Sequence, residues 1–270
     1  MNSTLSMRNA RFIEAVLGWS VLLAAVGFSG AAGAFAQFGP LVDAMDAPQA
    51  KTEEELDLYL ELAVSTKPRA SFEIAERFAA EYPKSELLGL VFEYEMQACQ
   101  RLDDFEGILR AGRKALDLQP DNADTQLTLA SVIPDHALGR PDSARLLQEA
   151  EGYSRGSLRE LSTMHIPKEI LPERWKTLRG QLEAQAHEAL GKIERNRGDL
   201  QAAIAEFALA ALHNPVPQGM QFFELGAAYA QARREEEAQR TLQRAVDLGP
   251  DSVREAAQRE LAKIAGNRIP

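Results

Sequence analysis

The sequence predicts an all-α fold: about five helix-turn-helix pairs stacked in chain order from about residue 53, closed by one last helix. Three observations predict it. Ala, Leu, Glu, Gln and Arg dominate beyond residue 50, and all are good helix formers. No window sustains a two-residue alternation of β-branched or aromatic residues, so no sheet is expected. Segments of about 34 residues also repeat one order of small, apolar and proline positions, the mark of units that bury their apolar faces against each other.

Composition narrows the chemistry. With 45% hydrophobic and 26% charged residues among 270, the chain can bury a core. Forty acids against 30 bases give a net charge of -10. That balance argues against nucleic acid, whose phosphates reward clustered Lys and Arg. A single Cys excludes an intramolecular disulfide framework and a Cys-built zinc site. No cofactor is expected.

The first 36 residues form a separate segment. Arg8 and Arg11 precede the apolar run Val16 to Phe28, and Ala34-Phe35-Ala36 closes the stretch before Gln37. A basic start, a short apolar core and an A-x-A end predict a secretory signal peptide cleaved after Ala36, and hence a periplasmic or secreted protein. The apolar core is shorter than the roughly 20 residues a spanning helix needs, and the alternative is residues 12–28 retained as an inner-membrane anchor. Residues 37–52, with Pro40 and Pro48, read as a flexible linker.

From residue 53 the helical domain begins. Segment 53–86 opens on Glu53-Glu54-Glu55, whose carboxylates complement the positive end of a helix, and closes on Phe78-Ala79-Ala80-Glu81-Tyr82-Pro83. Segment 88–121 carries Phe92, Tyr94 and Cys99 on its first helix and closes on Leu118-Gln119-Pro120-Asp121. Segment 123–165 is divergent: Leu129-Ala130 and the small residues Ala150, Ser154 and Ser157 keep the scheme. About eight extra residues fall between Ala130 and Ala150, read as a longer loop holding Pro134 and Pro141. About eighteen more after Ser157 read as extensions of both flanking helices around a turn near Met164 to Pro172. Pro172 is placed to open a helix running to about Asn196, roughly 37 Å long. Trp175 shares one face of it with Leu171, Leu178 and Leu182, which predicts a packing role.

The last two segments are the most regular. In 184–217, Leu190-Gly191 precede a Gly198-Asp199 turn, and Ala203, Phe207, Ala210 and Pro215 follow. In 219–252, Phe222, Leu225, Gly226 and Tyr229 occupy the first helix, and Ala238, Leu242, Ala245 and Pro250 the second. Residues 251–266 form a capping helix over the exposed end. These positions resemble the tetratricopeptide repeat (TPR), a 34-residue helix-turn-helix with a W-x2-L-G-x2-Y…A-x3-F…P pattern. The resemblance implies a right-handed α-solenoid whose first helices line a concave face.

Family logic then selects Gln185, Glu188, Lys192 and Arg195 on one first helix, and Met220, Phe223, Ala227 and Ala230 on the next, as candidate partner-binding residues. Glu188 and Ala227 stand where a carboxylate-clamp TPR would place a cation and an amide, so that mode of binding is not expected. Lys192 and Arg195 beside Phe223 suit a peptide with some acid and one apolar anchor.

Other motifs carry little. Gly152-Tyr153-Ser154-Arg155-Gly156 matches the nucleophile-elbow pattern but lies in a helical run, without the strand that elbow requires. His187-Glu188 opens like a zincin helix, yet Gly191 stands where the second His belongs. His136, His165 and His213 are scattered, and Gly191-Lys192 lacks the rest of a phosphate loop. The expectation is therefore a non-enzymatic envelope scaffold that binds a protein or peptide. The alternative is a membrane-anchored accessory of envelope assembly or transport.

Overall fold

The computed structural model describes residues 48–164, 170–216 and 218–266. The expected signal peptide, most of the linker and His165 lie outside the described residues. Within them every regular element is α-helical and no strand occurs. The helices are α1 Glu53–Ala63, α2 Pro68–Glu81, α3 Leu88–Arg101, α4 Phe105–Leu118, α5 Ala123–Ala137 and α6 Ser143–Thr163. They continue as α7 Pro172–Arg197, α8 Leu200–His213, α9 Gly219–Gln231, α10 Glu235–Leu248 and α11 Asp251–Gly266. Consecutive helices pack as antiparallel pairs (α1 with α2 through α9 with α10), and α11 lies on the last pair.

Local chemistry explains the boundaries. Asp104, Asn122 and Asp199 each stand one residue ahead of a helix and accept its third backbone N–H, at 3.0, 3.0 and 2.9 Å. Thr52 caps α1, and Glu55 folds back onto the Lys51 N–H at 2.6 Å. Pro68 and Pro172 occupy first turns, where the missing N–H costs nothing. Three pairs share one turn. The chain leaves the first helix through a left-handed residue: Asp103 (φ 57°), Gly198 (φ 86°) or Arg233 (φ 60°). The next N–H then reaches back to a carbonyl of the first helix at 2.9 Å each time: Asp104 to Cys99, Asp199 to Glu194 and Arg234 to Tyr229.

The chain divides into two compact units at Pro120/Asp121. In the first, α1 to α4 enclose a core that includes Leu58, Leu62, Ala75, Phe78, Leu87 and Val91. Glu95 is fully buried there and held by Arg110 at 3.0 Å. Burial raises the Glu95 pKa, with the Arg110 hydrogen bond opposing the shift. Burial also pushes the Cys99 thiol up to about 11.

In the second unit the small positions let helices approach. A Cβ on Gly191 would lie 2.6 Å from the Phe207 ring, and one on Gly226 would lie 2.8 Å from Leu242 Cγ. Phe222, Ala238, Leu242 and Ala245 form one cluster with Val253, Ala257 and Ile264 of α11, so that helix covers the end of the last pair.

Two expectations need correction. Pro134 is not in a loop but inside α5, and only residues 138–142 separate α5 from α6. Pro134 forgoes the N–H bond to the Ala130 carbonyl, and the helix runs only three residues beyond it, to Ala137. Most of the extra length at this point is therefore helix. Leu171 does not share the buried face of Trp175, Leu178 and Leu182; it is the N-cap of α7 and 74% exposed.

Candidate functional site

The chemical motifs resolve into packing. Gly152 to Gly156 lie within α6, and the buried Ser154 hydroxyl donates to the Ala186 carbonyl of α7 at 2.7 Å. His187 Nδ1 lies 2.7 Å from Glu206 and His213 Nδ1 2.9 Å from Glu183, with the two rings 5.1 Å apart, so both imidazoles link α7 to α8. Among the described residues no group of three or more His, Cys, Asp or Glu is arranged to hold a metal.

The candidate surface lies in the second unit, across α5, α7 and α9, the first helices of three successive pairs. On the α5 side, Gln185 donates to Ser131 Oγ at 3.0 Å and Lys192 pairs with Asp135 at 2.9 Å. Asn196 donates to the Pro134 carbonyl at 2.7 Å, which gives the proline turn a role as an acceptor. On the other side Arg195 pairs with Glu224 of α9, its guanidinium 5.4 Å from the Phe207 ring centroid.

Helical geometry, at about 100° per residue, places Glu188 between these two sets. Gln185, Lys192 and Asn196 lie about 40–80° to one side of it, and Gly191 and Arg195 about 20–60° to the other. Glu188 therefore occupies the middle of the strip that α7 leaves open between its neighbours. It is partly exposed yet deeply surrounded, and burial raises its pKa while Lys192, one turn along, opposes the rise. Burial acts on Lys192 in the lowering direction, and Asp135 outweighs it to leave the ammonium above its usual range. On α9, Glu224 faces α7, and Phe223 packs into the cluster that includes α11. Met220, exposed, and Ala227, half-buried, lie between those two directions.

Of the residues predicted from sequence, Gln185, Glu188, Lys192 and Arg195 share this strip with Ala227, and Phe223 stands at its far edge. Sequence reasoning missed Ser131, Asp135 and Glu224, which engage those side chains. Asp135 lies 57 residues from Lys192, and no local spacing reports such a pair. Asp124 was also missed. It shares the helical face of Ser131 and Asp135, at seven- and eleven-residue steps, and burial alone pushes its carboxyl up to about 6. No helix among the described residues is long and apolar enough to cross a membrane.

No family model matches the chain, and no curated protein matches it in sequence. Solved structures do. The chain is similar to PilW, a widely conserved type IV pilus biogenesis factor, at a TM-score of 0.56 and 16% identity, over 80% of this chain and 86% of that one. It is also similar to a thermophilic TPR protein of Thermus thermophilus, at a TM-score of 0.52 and 16% identity, over 78% of this chain and 98% of that one. The likeness fixes the fold: paired helices of the tetratricopeptide type.

Proposed function

Taking the tetratricopeptide fold as premise, we propose that the chain is a non-enzymatic scaffold of the bacterial cell envelope. It binds a protein or peptide partner through the open strip of its first helices. The observation that carries this reading is the strip itself. Side chains from α5, α7 and α9 are ordered there by hydrogen bonds and ion pairs, so the surface is preorganised rather than loosely solvated. Solenoids of this type use such extended faces for binding. Support for the envelope comes from the sequence of residues 1–36, and from the structural likeness to a pilus biogenesis factor.

The test is site-specific photo-crosslinking in the native host. A crosslinker at Ala227, in the strip, should give discrete adducts; one at the exposed Arg240 of α10 should not. Equal labelling at both positions, or none at Ala227, would remove the strip as the binding face. The apolar run Val16 to Phe28 favours a second reading, an accessory factor that keeps this segment as its anchor. The mass of the mature N-terminus separates the two, since Gln37 at the start means release and an intact Met1 means anchoring.

A further inference from the structure

The cations and carboxylates of the strip do not balance. Lys192 is committed to Asp135 and Arg195 to Glu224, so neither cation is left to receive an acidic partner. Glu188 lies between them and, among the described residues, makes no ion pair. The floor therefore carries two cations against three carboxylates, with the surplus charge at its centre, in a chain that is already acidic overall. The expectation of an acidic peptide rested on free cations, and the pairing removes that ground.

We propose that the strip takes an extended peptide segment that places a Lys or Arg side chain on Glu188 and an apolar side chain about three residues away against Met220 and Ala227. This rests on the reading of the strip as the binding face. The spacing follows from the bridge between the helices: Arg195 and Glu224 meet side chain to side chain across α7 and α9, a reach of roughly 10 Å between backbones, and an extended chain covers that in about three residues. Glu188 is suited to the task because burial disfavours its charge, while the two cations near it, Lys192 and Arg195, are each paired to another carboxylate. An incoming ammonium or guanidinium supplies a counter-charge where screening is weak. The exposed Met220 and the half-buried Ala227 put a long and a short apolar side chain on one face of α9 for the peptide's apolar side chain to lie against. The occupant is thus a basic, apolar-spaced segment of a protein partner, the opposite of a free C-terminal carboxylate.

The experiment is fluorescence anisotropy on the full chain with a labelled peptide of about a dozen residues. It carries two lysines, each followed three positions later by leucine, in a Gly/Ser background; a second probe replaces the lysines by glutamates. The lysine probe should bind and the glutamate probe should not. Glu188→Gln, nearly isosteric, should weaken the lysine probe about tenfold, the scale of one charge-assisted hydrogen bond. Lys192→Gln should act in the opposite sense: it removes a competing cation and releases Asp135, so binding tightens. A misfolded variant cannot tighten binding, so this arm separates chemistry from damage. Failure of the lysine probe to bind, preference for the glutamate probe, an unchanged Glu188→Gln, or weakening by Lys192→Gln would each overturn the proposal. Crosslinking from Ala227 to an acidic partner segment would keep the binding face and discard its basic occupant.

Discussion

Gly226 offers the sharpest test of the packing. Its missing side chain faces α10: a Cβ would lie 2.8 Å from Leu242 Cγ, 2.9 Å from Cδ2 and 3.1 Å from the Leu242 backbone nitrogen. Leu242 is fully buried, so it cannot swing out into solvent to make way. Restoring ordinary contact requires the helices to part by roughly half an ångström, and overpacking of this kind costs about 1–3 kcal/mol. Against this, Gly226→Ala gains up to about 1 kcal/mol of helix propensity. The net expectation is a loss of about 1–2 kcal/mol for alanine, and about 3 kcal/mol or more for leucine. Gly152 supplies the internal control. It is mid-helix in α6, exposed, with nothing within 4 Å of its would-be Cβ, so Gly152→Ala should gain the propensity term alone, about 0.5–1 kcal/mol. Urea titrations followed by circular dichroism read both effects as midpoint shifts of opposite sign at unchanged slope. A Gly226→Ala midpoint at or above wild type would refute the argument that these helices meet too closely for a methyl group.

Three further outcomes are expected. Asp124 has a folded pKa raised to about 6, so its charge costs the folded state stability at neutral pH, and that cost vanishes below the unfolded value near 4. Asp124→Asn should therefore stabilise by about 1–2 kcal/mol at pH 7.5, after allowance for its favourable place in the first turn of α5, and by almost nothing at pH 4. Thermal melts at the two pH values check this; an equal gain at both would contradict it. Exchange of residues at the shared left-handed turn should be asymmetric, since non-glycine residues are strained there: Arg233→Gly should raise the urea midpoint, and Gly198→Arg should lower it by about 1–2 kcal/mol. Cys99, buried and with its thiol pushed up to about 11, should resist a disulfide-exchange reagent at pH 8 until the first unit unfolds. Rapid labelling of the native protein would contradict its placement.

What could be read in advance follows the range of the interactions involved. The pair α9–α10 was legible because its determinants are local: Leu225-Gly226, Ala238 and Pro250 act through helical period, small size and a missing N–H. The turn at Gly198 was legible for the same reason, whereas Asp103 and Arg233 hide an equivalent backbone behind residues that seldom adopt it. Pro134 misled because proline reports only that a helix cannot continue undisturbed; here the helix carries on through it for three residues to Ala137. Glu188, Lys192 and Arg195 could be assigned to one face of α7 through the resemblance to the repeat, which says which helix of each pair is left open. Their partners Asp135 and Glu224 could not, since these depend on how α5 and α9 are rotated against α7, and no local period records that rotation.

The last helix bears on how many copies can join. Val253, Ala257 and Ile264 of α11 face the final pair, while Arg254, Glu255, Gln258, Arg259 and Lys263 face outward. A further pair of the same kind would need an apolar ridge to dock against, and this surface presents charged side chains, several paired with one another along the helix. End-to-end growth of filaments through this face is thereby discouraged. The outer face of α11 thus offers a neighbouring copy paired charges rather than an apolar ridge.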